Sequence, residues 1–190
     1  MQDRDIKPAY EHSKIGNFMF FICAKITKLL TKVRFLYYLL ACIWGILLTI
    51  AGIVITAALW IASLFNKNIK FEKYYWIYNI KIGPDYWGGL EMGLMFIRDQ
   101  KSIESVNAHE FGHTFQNCLF GPFMLFLVSL PSAIRYWYRE LKYERKNLTC
   151  PTDYDAVWFE DAATQCGSYV INYLETKKEV NELLQNNKLN

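Results

Sequence analysis

The chain of 190 residues owns three histidines, and two of them, His109 and His113, stand four apart in H-E-F-G-H with Glu110 between them. A four-residue step returns to the same face of a helix. Two imidazoles placed in this way can grip one zinc ion, and the carboxylate next along then points at a water on that ion. Such a group hydrolyses peptides: the metal makes the water acidic and Glu110 takes its proton. In a chain this poor in histidine, a chance pairing of two surface imidazoles is the weaker explanation. A zinc site of this kind takes three protein ligands, so one is missing. No histidine follows His113, and His12 lies far upstream in a polar terminus. The third ligand is therefore a carboxylate or a cysteine. W-F-E-D-A-A-T, residues 158–164, offers Glu160 as the best candidate, with its neighbour Asp161, then Asp153 and Asp155, as alternatives. Read alone, Glu160 is a solvated carboxylate favoured by the dipole of a first helical turn. A two-histidine site short of a ligand favours the metal role.

Two helices must carry these residues. One is expected from near Ile103 to about Leu119, capped by Ser102 or Asp99 and ended by Gly121-Pro122. Ala108, Phe111, Phe115, Cys118 and Leu119 form its apolar stripe. Phe111 lies about 200° around the helix from His109, so the stripe can enter a core while the motif faces a cleft. Gly112 is costly inside a helix, which points either to close approach of another backbone or to ordinary tight packing. The second helix follows Pro151, capped by Asp153 or Asp155, with Phe159, Ala163, Cys166, Val170 and Leu174 as its stripe. Between residues 71 and 98, Tyr74–Tyr78, Ile80–Ile82 and Leu90–Ile97 read as strands around a Gly83-Pro84-Asp85 turn, a hairpin beside the catalytic helix. An extended peptide can pair with such a sheet edge, and Gly88, Gly89 and Gly93 allow close backbone approach. A plain covering hairpin explains them equally well. Tyr154, Tyr169 and Tyr173 are candidates by type for a donor to a developing oxyanion.

H-E-x-x-H followed by E-x-x-A-D on a later helix is the pattern of the gluzincin metallopeptidases, among them the membrane-bound CAAX prenyl protease and heat-shock protease types. Glu160-Asp161-Ala162-Ala163-Thr164 resembles that second motif, with Thr164 where the aspartate stands. In those families the aspartate helps orient a zinc-binding histidine, so the departure bears on the surroundings of the ligands. G-G-L-E-M-G (88–93), H-E-F-G-H-T-F-Q-N-C-L-F-G-P-F (109–123) and W-F-E-D-A-A-T-Q-C-G (158–167) are still more similar to bacterial membrane proteins with a G-G-x-x-x-G strand, H-E-x-G-H-x-x-Q-S, L-G-P-L-Y and a later T-E-x-x-A-N. The resemblance covers roughly residues 75–170. It implies a membrane zincin-like fold with zinc on His109, His113 and Glu160, Glu110 as general base, and a place in the bacterial cytoplasmic membrane. It implies no substrate.

Membrane insertion is legible independently. Phe35–Phe65 is 31 residues without a charge. As a helix that is about 46 Å at about 1.5 Å per residue, more than a hydrocarbon core of about 30 Å. One tilted spanning helix is the simplest expectation; Gly45 and Gly52 allow a bend, and a hairpin of two short helices is the alternative. Residues 14–34 alternate basic and apolar and read either as a membrane-surface helix or, preferably, as the solvated flank of the span. Four Lys or Arg lie within twenty residues on each side of the run, so charge does not orient it. The apolar stretch 118–134 cannot cross completely, because His109 and Glu160 would then fall on opposite sides. Gly121-Pro122 and Pro131 also break it, so it reads as re-entrant or interfacial. R-Y-W-Y-R-E-L-K-Y-E-R-K, 135–146, mixes basic and aromatic residues as the headgroup zone favours. A net charge of only +3 argues against nucleic acid as its partner. Five cysteines without C-x-x-C argue against a disulfide framework. The polar tail after Glu175 is expected to fray.

The expected architecture is a mainly α protein with a small β-hairpin. It has a basic amphipathic segment at 1–34, a transmembrane helix at 35–65 and a zincin-like metallopeptidase domain at 66–190. The expected activity is zinc-dependent hydrolysis of a peptide or membrane-protein segment. The competing expectation is a non-catalytic membrane protein, with a structural zinc site or a degenerate site used for binding. Thr164 favours the latter, whereas an intact Glu110 has no use in a purely structural site. A site-2-protease type fits poorly, since no later span supplies its aspartate.

Overall fold

The computed structural model describes residues 5–83 and 87–186, with side chains through 182. It is mainly helical with one small mixed sheet. Helix α1, Lys14–Lys32, is capped by the Ser13 hydroxyl, which accepts from the Gly16 N–H at 3.1 Å. Its buried face carries Phe20, Cys23, Ala24, Thr27 and Leu30 at helical spacing. That face shares a core with Phe120 and Met124 and with Phe159, Ala162 and Cys166 of the later chain. Helix α1 thus packs against the helices that hold the motif.

The uncharged run is not one helix. Helix α2, Arg34–Leu39, passes through a π turn at Leu40–Trp44, and helix α3 restarts at Ile46 and runs to Ser63. The break falls at Gly45, where a Cβ would meet the Asn117 side chain at 2.6 Å. The π-turn section packs against the motif helix, so Ala41 and, in α2, Tyr37 are buried. Among the described residues α3 is the one helix long and apolar enough to cross a membrane, and most of it is unburied. Its Thr49 and Gly52 press on the Met92–Gly93 turn.

Strands β1 (Lys70–Tyr74), β2 (Ile77–Lys81), β3 (Gly89–Glu91) and β4 (Met95–Arg98) form a sheet in the order β1-β2-β4-β3. The expected single hairpin gives way to two antiparallel pairs joined by a parallel β2–β4 pair. The aromatic run splits because Tyr75 turns the chain at φ +52°, its ring stacked on Phe111 at 5.9 Å. The second run splits at Gly93, φ +75°, which only glycine adopts easily. Pro84 and Asp85 of the expected turn lie outside the described residues.

Helix α4, Glu104–Phe120, carries the motif and ends at Gly121, φ +53°. It has no side-chain cap; Asp99 and Ser102 instead hydrogen-bond each other and the loop backbone. Phe111, Phe115, Ala108 and Cys118 enter a core with Tyr37, Trp76, Phe96 and Val170. After Gly121–Phe123 the chain bends by 114°, passes a π turn at Leu125–Ser129 and enters helix α5, Leu130–Lys142, with Pro131 in its first turn rather than as a break. Helix α6, Trp158–Asn186, packs along α4 and α1 and continues well beyond Glu175 as an exposed helix, so fraying does not begin where expected.

Candidate metal centre

Two glycines bring α4 and α6 together. A Cβ on Gly112 would stand 1.9 Å from the Ala163 carbonyl oxygen, and one on Gly167 would stand 1.7 Å from that of Ala108. The backbones therefore touch on either side of the motif, which explains the glycine inside α4. The crossing sets Glu160, fully buried near the start of α6, against His109 and His113. His109 Nε2 lies 3.0 Å from His113 Nε2, and Glu160 Oε2 is 3.1 and 3.2 Å from the two. These three residues are the one cluster of metal-ligating side chains among the described residues that could hold an ion.

The hydrogen bonds around the imidazoles fix which nitrogen faces inward. Gln116 donates its amide N–H to the Phe159 carbonyl at 2.7 Å, so its oxygen is left to accept from His113 Nδ1 at 2.7 Å. Thr164 gives its hydroxyl proton to Asp155 at 2.8 Å, so its oxygen accepts from His109 Nδ1 at 2.7 Å. Both rings then carry hydrogen on Nδ1 and aim Nε2 lone pairs at each other and at the carboxylate. Three acceptors that close repel unless a cation lies among them. Burial alone would raise the Glu160 carboxyl, and only imidazoles protonated and donating from Nε2 would more than offset it and hold it below the usual range. Its Oε1 is buried with no hydrogen-bond partner. Donor atoms at the corners of a tetrahedron with bonds of about 2.0–2.1 Å stand about 3.3 Å apart, close to this triangle.

Glu110 sits beside the triangle on the cleft side, its side chain against Gly89 of β3, where a Cβ would come within 2.5 Å. Burial pushes its carboxyl up to about 7, His113 lowers it and Glu160 raises it. Glu91 of the edge strand lies close by; burial and then Glu110 raise it well above the usual range. The cleft, about 700 Å³, is bounded by Gly88–Glu91, the motif face of α4, Met124, Val128 and Ser129, and the α5 residues Ser132, Ala133, Tyr136 and Trp137.

Of the three tyrosines singled out by type, Tyr154 alone lines this cleft. Its ring is 6.2 Å from that of His109 and its hydroxyl 3.0 Å from Ser132 Oγ. Burial and the Glu160 charge raise that hydroxyl, which keeps its proton. Tyr169 and Tyr173 stack on each other, with Tyr169 against the α1 core. Asp161 turns away from the triangle. It accepts from the Ala9 and Tyr10 N–H groups and pairs with His12 at 2.9 Å. His12 is thereby buried against α6, not part of a solvated terminus, because residues 5–12 fold back onto Asp161. Two residues went unassigned to the site in the sequence, Gln116, three positions after His113, and Glu91; Asp155 was expected as a cap or an alternative ligand, not as the support of Thr164. Gln116 alone left a signal, the Q of H-E-F-G-H-T-F-Q.

No family model, curated protein or solved structure matches this chain.

Proposed function

We propose that the protein is a membrane-embedded, zinc-dependent metallopeptidase of gluzincin type. The observation that carries this is the convergence of His109 Nε2, His113 Nε2 and Glu160 Oε2 within 3.2 Å, with Glu110 beside them on an open cleft. Histidine nitrogens and one carboxylate are a donor set zinc favours, and the closed triangle leaves the cleft side free. When bound, zinc supplies a Lewis acid and makes a water acidic enough to attack at neutral pH. Glu110 accepts the proton of that water at its carboxylate and later returns it to the leaving amine. Its buried carboxyl, raised to about 7 by the protein alone, suits both halves of that transfer. Tyr154, on the cleft wall with its ring 6.2 Å from that of His109, is the donor we assign to the oxyanion. The β3 edge, Gly89–Glu91, runs beside Glu110 and offers backbone groups to an extended peptide. Helix α3 anchors the protein in the bilayer, and the bend at Gly121–Phe123 returns the chain to the side it came from, so that α6 meets α4.

The Thr164–Asp155 pair supports catalysis over the non-catalytic reading. Thr164 stands where a gluzincin aspartate would, and the hydroxyl passes the carboxylate of Asp155 on to His109. The test is peptide cleavage by the wild type against Glu110→Gln, with zinc measured in both. The amide keeps the size but takes no proton, so cleavage is lost and zinc stays. Equal cleavage by the two would refute the assignment.

A further inference from the structure

Helix α5 has thirteen residues and buries none of them. Yet Leu130, Ile134, Trp137, Tyr138 and Leu141 follow one helical stripe, and all are about half exposed or more, Ile134 62% and Trp137 53%. The helix is not loosely attached. Arg135 donates to the Tyr154 and Asp153 carbonyls, and Arg139 donates to that of Thr152. These contacts hold the opposite face against the 152–154 segment and leave the stripe outward. The stripe continues into Leu125, Phe126 and Leu127 of the preceding turn, and Phe123 meets Trp44 next to α3, so the apolar surface is continuous with the anchor. Residues 135–146 carry five basic side chains against two acidic ones.

We propose that α5 lies in the face of the bilayer, with its stripe among the acyl chains and the basic side chains at and after its C-terminal end, Lys142, Arg145 and Lys146, at anionic lipid headgroups. This rests on the membrane part of the reading above, not on its metal. A second copy of the chain is a poorer occupant, since a two-fold contact would set one basic segment against another. Amphipathic helices with aromatic residues and a basic flank bind lipid surfaces by apolar burial together with headgroup attraction. One consequence concerns substrate. Ser132, Ala133, Tyr136 and Trp137 of the same helix wall the cleft, and Trp137 belongs to both faces. The cleft therefore opens at headgroup level, and it takes polypeptide segments that lie at or emerge from the membrane surface.

The test uses the full chain in nanodiscs of phosphatidylcholine with and without phosphatidylglycerol. One set contains lipid with a diazirine in the acyl chain, and a parallel set receives a water-soluble carbene precursor. Labelled residues are read by mass spectrometry. Lipid label is expected on Ile134, Trp137 and Leu141 as well as on 46–63, and removal of phosphatidylglycerol should reduce it on α5 alone. Ile134→Asp with Leu141→Asp should move α5 to the aqueous label while 46–63 keeps its lipid label. Aqueous label on wild-type α5 with lipid label on 46–63 overturns this inference only. Absence of lipid label from both overturns the membrane reading itself. Protection of α5 from both reagents, growing with the number of chains per disc, would show a second copy on the stripe and overturn the proposal too.

Discussion

Glu160 and Asp161 are adjacent carboxylates with different work. Glu160 meets the two imidazoles, and Asp161 holds residues 9–12. Glu160→Ala should empty the metal site, whereas Asp161→Ala should keep metal and loosen the N-terminal segment, whose Ala9 and Tyr10 N–H groups and His12 lose their acceptor. Zinc content together with amide exchange at residues 9–12 distinguishes them; the reverse pattern would move the ligand to Asp161. The Thr164 hydroxyl gives a second prediction at this scale. Thr164→Val removes the acceptor of His109 Nδ1–H and the donor to Asp155. Losses of such supporting groups run about 10–100-fold in metal affinity, so competition with a chelator should show a shift of that size in folded protein. An unchanged affinity would mean that the ring is oriented without it. His109, Glu110 and His113 were legible in the sequence because their spacing is itself the geometry. The support that Asp155 gives Thr164 was not, since it depends on how the loop before α6 folds back, and no local pattern records that. His12 was misjudged for the same reason: its partner lies 149 residues away.

Helix pairing is what turns two motifs into one site. The α4–α6 crossing depends on Gly112 and Gly167, whose missing Cβ atoms let backbone meet backbone. Gly167→Ala should be severe, because the atom in the way is a carbonyl oxygen of Ala108, which has no rotamer to change. Overpacking costs about 1–3 kcal/mol even where side chains can move. The expected outcome is a lower unfolding midpoint in detergent and weaker zinc retention. Unaltered stability and metal content would mean that the helices can separate freely. The helices themselves were visible from apolar periodicity and from Gly121-Pro122, but their breaks were less so. Gly45 and Gly52 both allowed a bend in the uncharged run 35–65, but nothing in the run says that Asn117 intrudes at the first of them and makes it a break. The sheet was underestimated because a parallel pair such as β2–β4 is joined by a crossover and not by a tight turn, so no local pattern betrays the pairing.

Across the whole molecule, α1, α2, α4 and α6 and the sheet share packed cores, while α3 and α5 keep large apolar surfaces outside them. That contrast underlies the proposed division between a metal-holding body and membrane-facing helices. It predicts that alkaline carbonate leaves the full chain in the membrane fraction, and that replacing Ile50, Ile53, Val54 and Ile61 of α3 by Ser or Asn releases it. Release of the wild type by carbonate would count against an integral anchor. If the body holds the proposed metal, it gains stability from it: a ligand that binds only the folded state stabilises it, by about 2.7 kcal/mol at a hundred times its dissociation constant. The claim beneath all of this is that His109, His113 and Glu160 together hold zinc. Metal analysis of the purified full chain, beside Glu110→Gln and Glu160→Ala prepared identically, addresses it most directly. Zinc at a single equivalent per chain is expected in the wild type and Glu110→Gln, and its loss in folded Glu160→Ala. Folded wild type that takes up no zinc, or Glu160→Ala that retains it fully, would contradict the account.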